Sequence, residues 1–248
     1  MIIVPHETIA QGSDDWRRLR LGRPTSSEFD QIITPAKGQP SSSRRRLAAR
    51  HVDERVTGGP TDVKPYMTHE MERGLLREHE ARCRFERETG FYLRKVGFVA
   101  TDDGRFGASP DALVYLDENV PEPFGCLEVK NYNATDHLLW SEDDALPNDF
   151  RCQVNGHLAV SGLKTAFWMS NCPPFSPLIL RVDWDDFTTK LAQALDEFDR
   201  DVFRPMLARV CENTVLRQQV ADFDAEYERM IAPFRPTPKP TEVTHGVQ

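Results

Sequence analysis

Three charged residues in two short apolar runs have the types and spacing of a hydrolytic metal site. Asp111 stands at the head of the run Ala112–Val114, and Glu128 and Lys130 flank Val129 in a second apolar run. Alternate side chains of a β-strand point to the same face, so Glu128 and Lys130 project together. If the two runs are neighbouring strands, Asp111 joins them. Two carboxylates and an ammonium at one sheet edge are unfavourable without a cation or charged substrate, which makes them a candidate Mg²⁺ site.

The two motifs, Pro110-Asp111 and Glu128-Val129-Lys130, resemble the PD-(D/E)xK nuclease signature. Each motif alone is short and occurs often by chance. An exposed turn aspartate and a solvent-facing ion pair explain them equally well at this point. Only the elements around them separate the two interpretations.

Composition restricts the class of protein. The chain has 248 residues, with 39% apolar and 28% charged residues, which is typical of a globular protein with one large domain or two small ones. No apolar run is long enough to span a membrane, and the N-terminus lacks the pattern of a secretory signal. The five cysteines are widely spaced without a C-x-x-C pair, which disfavours a disulfide framework or a zinc site and suits a reducing cytosol.

The distribution of charge is more informative than its sum. Net charge is −8, but residues 1–100 carry 18 basic and 14 acidic residues, whereas residues 101–248 carry 13 and 25. This balance disfavours non-specific coating of DNA and permits a local basic channel. An acidic exterior would suit an enzyme that holds DNA in one place and repels it elsewhere.

The N-terminal part contains a candidate phosphate pocket. A helix capped by Ser13 is expected to end at Gly22, and a second short helix is expected from Pro24 to about Ile33. Hydroxyl groups at the start of that second helix, close to two arginines, could bind phosphate, although ordinary helix capping also explains them. The residues concerned are Arg20, Arg23, Thr25, Ser26 and Ser27. Arg44, Arg45 and Arg46 then begin a helix to about Val56 and form either a solvated face or a DNA-backbone contact.

The remaining chain alternates helices and strands. Met67 to Thr89 is predicted as a long helix, with Glu78 as a candidate third carboxylate near Gly74. Three strands, 91–100, 107–114 and 125–131, should form an antiparallel meander. The following elements are helices 135–146 and 149–160, the second carrying Gln153, strands 164–170 and 178–182, a mostly helical region from Asp185 to about Met230 broken near Pro205, and a mobile proline-rich end from Pro233.

This order resembles the PD-(D/E)xK core, which implies an α/β (α+β) restriction-endonuclease-like fold with a central mixed β-sheet flanked by helices. More narrowly, the chain resembles the phage-type alkaline exonuclease family, which includes lambda exonuclease and the YqaJ-type viral recombinases. Five ordered segments over residues 12–185 carry the resemblance. They are Leu19–Gly22 with Thr25–Glu28, Arg73-Gly74 with Glu78 and Ala81-Arg82, Gly107–Val114, Leu127–Lys130 with His137, and Gln153-Val154 with Gly156.

The family resemblance implies an activity and partners. It implies a 5′-to-3′ exonuclease that degrades one strand of linear double-stranded DNA to mononucleotides and leaves 3′ single-stranded overhangs for annealing-type recombination. The implied cofactor is Mg²⁺ or Mn²⁺, as one or two ions. The implied partners are double-stranded DNA ends, a single-strand annealing protein and further copies in a ring-shaped trimer, without a membrane, in the cytoplasm of a bacterial or phage-infected cell.

The resemblance also implies residue roles. Asp111 and Glu128 would bind the metal together with the Val129 backbone carbonyl, and Glu78 would complete or support that site. Lys130 would polarise the attacking water. Gln153 would support the site, and the 5′-terminal phosphate would be held by Arg20, Ser27 and Thr25. Residues 1–232 would form a single nuclease domain whose N-terminal helices, 12–60, contribute to DNA-end binding, followed by a flexible proline-rich tail, 233–248.

Two departures and two alternatives accompany this hypothesis. Phe150 stands where the family often has Tyr, and Asn131 stands where Cys or Thr before Pro is common.

A restriction-type endonuclease would usually bring a sequence-reading element, and no such appended domain is visible. A non-catalytic DNA-end-binding module on a decayed nuclease fold is disfavoured because Asp111, Glu128 and Lys130 are all present.

Overall fold

The protein, analysed as a computed structural model, is described over residues 1–61 and 69–236, with the side chains of residues 69–76 outside the description. A five-stranded mixed sheet runs through it, and helices cover both faces. The α-helices of the described ranges are α1 (Asp14–Arg20), α2 (Arg44–Thr57), α3 (His69–Thr89), α4 (Ala134–Asp143), α5 (Asn148–Ser161), α6 (Asp186–Phe198), α7 (Arg204–Val210) and α8 (Thr214–Ile231). The strands are β1 (Ile2–Pro5), β2 (Tyr92–Arg94), β3 (Val96–Ala100), β4 (Gly107–Ala108), β5 (Ala112–Tyr115), β6 (Gly125–Lys130), β7 (Thr165–Ser170) and β8 (Leu178–Asp183).

The large sheet has the strand order β2-β5-β6-β7-β8, and a smaller sheet has the order β1-β3-β4. Strand β6 pairs antiparallel with β5 and parallel with β7, with α4 and α5 forming the crossover between β6 and β7. This is the predicted mixed α/β architecture. The parallel pair is buried on both faces, because α3 packs against one side of β6 and α5 against the other.

The predicted three-stranded meander is divided between the two sheets, which corrects the sequence interpretation. Residues 91–100 form β2 and β3 instead of one strand, and residues 107–114 form β4 and β5 with Ser109–Asp111 between them. Proline has no N–H for a sheet ladder, so Pro110, between β4 and β5, keeps the two from forming one continuous strand. Asp111 therefore lies at a bend before β5.

A single glutamine joins the two interrupted strands. The Nε2 group of Gln11 donates to the Val96 carbonyl at 2.8 Å and to the Pro110 carbonyl at 2.9 Å. Each carbonyl lies where a strand leaves one sheet for the other. Since buried backbone oxygens need partners, this side chain stabilises both breaks and fixes the bend before Asp111.

The short 3-10 helix Ser26–Gln31 packs closely on α5. At Gly156 of α5, a Cβ atom would lie 2.6 Å from Phe29 Cδ2 and 3.0 Å from Ser26 Cβ. Gly156 thus allows the 3-10 helix to approach the helix that carries Gln153.

Replacing this glycine should destabilise the protein. Gly156→Ala is expected to lower the free energy of unfolding by about 1–3 kcal/mol, the usual range for overpacking a close contact. Urea unfolding measures the difference. Gly59→Ala is the control, because nothing lies within 4 Å of its Cβ position. Equal stability of the two variants would show that the 3-10 helix and α5 are not closely packed in solution.

The C-terminal helices differ from the predicted break at Pro205. A π-helical turn, Asp199–Phe203, joins α6 directly to α7, and Pro205 lies in the first turn of α7. The first turn of a helix tolerates proline because its N–H groups need no partner within the helix. The helical region is instead broken after Val210, where α7 ends. Asn213 then caps α8 by accepting hydrogen bonds from the first backbone amides of that helix.

Both ends of the described chain meet at the small sheet. Strand β1 was not predicted from the sequence, and it pairs antiparallel with β3. The 3-10 turn Ala232–Phe234 contacts β1, so the chain is still folded at the start of the expected tail. Residues 237–248 of that tail lie outside the described residues. None of the helices in the described ranges is long and apolar enough to cross a membrane.

Candidate active site

Glu128 is the most tightly held residue of the candidate site. It is only 4% exposed, on the central strand β6. Its Oε1 accepts hydrogen bonds from Lys130 Nζ and Gln153 Nε2, both at 2.7 Å, and its Oε2 lies 2.8 Å from His157 Nε2. Lys130 Nζ also donates to Gln153 Oε1 at 3.2 Å. The structure therefore brings Glu128, Lys130 and Gln153 together as predicted.

His157 was missed from the sequence. It lies one helical turn after Gln153 on α5, and residues i and i+4 of a helix share a face. This spacing could have identified it once Gln153 was placed in the site. With Gln153, His157 fixes the orientation of the Glu128 carboxylate.

Asp111 reaches the same site from the bend before β5. Its backbone N–H donates to the Leu127 carbonyl at 2.9 Å, and its Oδ2 accepts from the Val129 N–H at 2.6 Å. In a β-strand the N–H and C=O of one residue point to the same edge, so the Val129 carbonyl also lies on the Asp111 side. Both carboxylates and this carbonyl thus lie at one end of the β5–β6 pair.

The two carboxylates have opposite pKa shifts. Burial and the neighbouring charge of Glu128 raise the pKa of Asp111 well above its usual value. Burial opposes ionisation of Glu128 as well, but Lys130 and His157 hold the pKa of Glu128 below its usual range. The pKa of Lys130 is raised, since the attraction of Glu128 outweighs the burial that would lower it. The neighbouring Glu128 therefore favours the ammonium form of Lys130.

The donor set fits a hard divalent cation. No group of three His, Cys, Asp or Glu side chains that could hold a metal ion occurs among the described residues. Mg²⁺, however, is usually held by one or two carboxylates, with waters and substrate phosphate as the other ligands. Asp111, Glu128 and the Val129 carbonyl supply such a set. A cation there would relieve the repulsion that raises the pKa of Asp111.

Glu78 does not join these acids in a three-carboxylate cluster. It lies on α3, where its Oε2 is 3.5 Å from Arg82 NH1. Its charge is nevertheless close enough to contribute to the raised pKa of Asp111. Of the two roles predicted for Glu78, the geometry favours support of the site over direct metal binding.

The residues of the predicted phosphate pocket lie together around Arg20, at the end of α1. Its guanidinium donates to Thr25 Oγ1 at 3.1 Å, to Ser27 Oγ at 3.2 Å and to Ser109 Oγ at 3.4 Å. The pocket thus combines one arginine with three hydroxyl groups, which is a favourable set of donors for a phosphate. Of these residues, only Ser109 was not predicted.

The pocket adjoins the acidic site. Ser109 lies two residues before Asp111, and its Oγ accepts from Trp16 Nε1 at 3.0 Å. The Trp16 ring supports the guanidinium of Arg20, whose centre lies 4.6 Å from the ring centroid. Burial lowers the pKa of Arg20, while Glu28 and Glu128 oppose that effect. Arg20 is therefore within electrostatic range of the Glu128 carboxylate.

Two arginine predictions are revised. Arg23 is buried with its guanidinium over the Tyr227 ring of α8, at 3.1 Å from the centroid, so it lies away from the pocket. Arg44 binds the Ala194 carbonyl at 3.2 Å, which anchors α2 to α6. Arg45 and Arg46 are exposed and remain available to a DNA backbone.

Phe150, which departs from the family pattern, packs beside Lys130. The Phe150 ring stacks on Trp168, with centroids 5.3 Å apart, and Lys130 Nζ lies 5.3 Å from the Phe150 centroid. An aromatic face at this distance attracts an ammonium group. Phe150 therefore contacts the site through its ring, without a hydroxyl group.

Comparison with known proteins shows a family and a fold that the chain resembles. The model of the YqaJ-like viral recombinase domain matches residues 15–164. An alkaline exonuclease (LHK-Exo) from Laribacter hongkongensis has a TM-score of 0.62 and 23% identity, covering 81% of this chain and 100% of that one. The same protein in complex with dAMP gives the same values over 99% of its chain. A phage related exonuclease from Haemophilus somnus 129PT has a TM-score of 0.53 and 12% identity, covering 74% and 96%. No curated protein matches in sequence.

Proposed function

Because the chain belongs to the YqaJ-like viral recombinase family, we propose that it is a divalent-metal-dependent exonuclease that shortens one strand of linear double-stranded DNA from its 5′ end. The predicted family resemblance is confirmed by the match to residues 15–164. The observation that carries the proposed activity is the adjacency of two sites. The acids at Asp111 and Glu128 adjoin a pocket for a phosphate at Arg20, and Ser109 lies between them.

Different residues of the site would have different roles in phosphodiester hydrolysis. Asp111, Glu128 and the Val129 carbonyl would hold the metal. When bound, the ion supplies an activated water and neutralises charge on the phosphate. The Lys130 ammonium orients the water and stabilises developing negative charge. Gln153 and His157 keep the Glu128 carboxylate in place, at 2.7 Å and 2.8 Å.

The pocket at Arg20 supplies the preference for an end. A terminal 5′-phosphate held by Arg20, Thr25 and Ser27 would place a nearby phosphodiester at the acids. Cleavage there releases a mononucleotide and leaves a 3′ single-stranded overhang. LHK-Exo binds dAMP, a mononucleotide, and we propose the same class of product here. A single-strand annealing protein and a ring-shaped trimer remain predictions of the family resemblance.

Removal of the pocket arginine should reduce the preference for phosphorylated ends. Arg20→Ala is expected to lower kcat/KM on 5′-phosphorylated duplex by about 10- to 100-fold, the equivalent of one charge-assisted hydrogen bond. The same variant should change the rate on 5′-hydroxyl ends little. Initial rates on the two substrates measure the ratio. Arg17→Ala, an exposed arginine on α1 that pairs with Asp14, is the control. An undiminished preference for phosphorylated ends in Arg20→Ala would show that Arg20 does not bind the terminal phosphate.

The alternative activities give different results with DNA topology. A restriction-type endonuclease would cut closed circular DNA as fast as linear DNA, whereas an exonuclease requires an end. A non-catalytic end-binding module would protect linear ends and release no nucleotide. Digestion of both DNA forms with Mg²⁺ separates the three functions.

A further inference from the structure

A buried histidine lies behind the phosphate pocket and takes no part in the site described above. His51 of α2 is 2% exposed and lies between two carboxylates. Its Nδ1 is 2.9 Å from Glu54 Oε2, and its Nε2 is 3.6 Å from Glu28 Oε2. At that distance Nε2 has no hydrogen-bond partner among the described residues. Two acids from different elements therefore face one imidazole ring.

Glu28 connects this histidine to the pocket. Its Oε2 accepts from the Thr25 backbone N–H at 3.0 Å and from Thr25 Oγ1 at 3.1 Å, and its Oε1 accepts from Arg50. Thr25 Oγ1 in turn accepts from Arg20 at 3.1 Å. The Glu28 carboxylate thus determines the orientation of the hydroxyl group that contacts the pocket arginine.

Glu54 binds the start of the segment that joins α1 to the 3-10 helix. Its Oε2 accepts from the Gly22 N–H at 2.9 Å. Gly22, two residues after the end of α1, has φ +65°. A Cβ there would meet Arg55 Cγ at 2.6 Å, so the close approach to α2 requires glycine. Glu54 and Glu28 therefore bind the backbone at Gly22 and Thr25, respectively, in the segment between α1 and the 3-10 helix.

The charges around His51 favour its protonated form. Glu28 faces it from the 3-10 helix, with Arg20 of α1 behind, and Arg50 and Glu54 face it from α2 itself. The other elements packed on α2 direct their charges elsewhere: Asp224 of α8 pairs with Arg55 at 3.2 Å, Glu197 of α6 lies 3.9 Å from Arg44, and Asp199 of the π-helical turn pairs with Arg105 and Arg204.

The pKa shifts of His51 and Glu28 both favour the charged form of each group. Burial alone would lower the pKa of His51, but Glu28 and Glu54 raise it above its usual value. Burial likewise opposes ionisation of Glu28, yet His51 and Arg50 lower the pKa of Glu28 to about 2. An imidazolium between two carboxylates relieves their mutual repulsion.

We propose that His51 is a positioning residue for the phosphate pocket: as an imidazolium it bridges Glu28 and Glu54 and so fixes Thr25 and Arg20 for a terminal 5′-phosphate. This inference rests on the proposed end-binding function of that pocket. A raised pKa means that the contribution of His51 is complete at low pH and is lost as pH rises through the folded-state value. The preference for phosphorylated ends should therefore fall as pH rises above the usual titration range of a histidine.

The test is the pH dependence of that preference. The ratio of kcat/KM for 5′-phosphorylated over 5′-hydroxyl duplex is measured at about pH 7 and about pH 9, where the terminal phosphate remains mostly a dianion. Using a ratio cancels pH effects on cleavage itself. In the unaltered protein this ratio should fall severalfold between the two pH values, and His51→Asn should show the lower ratio at both of them. His79→Asn, an exposed histidine on α3, should keep the original profile.

Each result supports or overturns a distinct statement. If the unaltered protein does not distinguish the two ends at any pH, the proposed pocket fails. If it distinguishes them equally at both pH values, or if His51→Asn follows the original profile, the role of His51 fails and the pocket stands. An NMR titration of the unaltered protein with labelled histidine does not depend on a variant that folds. The His51 signal should titrate above about pH 6.5, and titration at or below that value would overturn the proposal.

Discussion

Asp111→Asn is expected to lower Mg²⁺-dependent digestion of linear duplex by about 10³-fold or more, because it removes a metal ligand that no neighbouring acid replaces. Glu128 is already assigned to the metal itself, and Glu78 lies outside a common cluster among the described residues. The fold should persist, since an asparagine still accepts the hydrogen bond from the Val129 N–H. Initial rates on end-labelled duplex measure the loss.

The same variant should lose its response to the metal. Mg²⁺ is expected to raise the Tm of the unaltered protein, since a ligand that binds only the folded state stabilises it. Asp111→Asn should show no such shift and, without metal, should be at least as stable as the original, because one of two repelling carboxylates is gone. Asp117→Asn, an exposed aspartate after β5, is the control. If Asp111→Asn kept full activity and the Mg²⁺-induced rise in Tm, Asp111 would not be a metal ligand.

Lys130→Met is the prediction with the second largest effect. Methionine keeps the length of the side chain and its contact with the Phe150 ring but removes the ammonium group. Activity should fall by about 10²- to 10³-fold, the usual result of removing one preorganised electrostatic donor. Initial rates at saturating DNA measure this loss in kcat.

The metal response distinguishes Lys130 from Asp111. Lys130→Met should keep the Mg²⁺-induced rise in Tm, because Asp111, Glu128 and the Val129 carbonyl are unchanged. Lys164→Met, an exposed lysine over the Trp184 ring, is the matched control. If Lys130→Met lost the metal shift as well, the lysine would act by holding Glu128 in place, and its direct role in hydrolysis would be wrong.

Local periodicity made the centre of the site predictable. Glu128 and Lys130 share a strand face by the two-residue repeat, whereas Gln153 was assigned from the family resemblance. The helical repeat predicts His157 once the neighbouring residue is known. These residues depend on contacts within one element or between elements adjacent along the chain.

The remaining features depend on contacts between distant parts of the chain. The division of residues 107–114 into β4 and β5 is stabilised by Gln11, about a hundred residues earlier, and this division places Ser109 in the pocket. Arg23 was assigned to the pocket because it is near Arg20 in sequence. In the fold it is covered by Tyr227 of α8, which no local pattern indicates.

Digestion of linear duplex with Mg²⁺, labelled at either the 5′ or the 3′ end of one strand, tests the central proposal most directly. The adjacency of the Arg20 pocket to Asp111 and Glu128 predicts that the 5′ label appears at once as a mononucleotide, while the 3′-labelled strand shortens progressively and closed circular DNA stays intact. Release of the 3′ label first, or cutting of closed circles as fast as linear DNA, would contradict it.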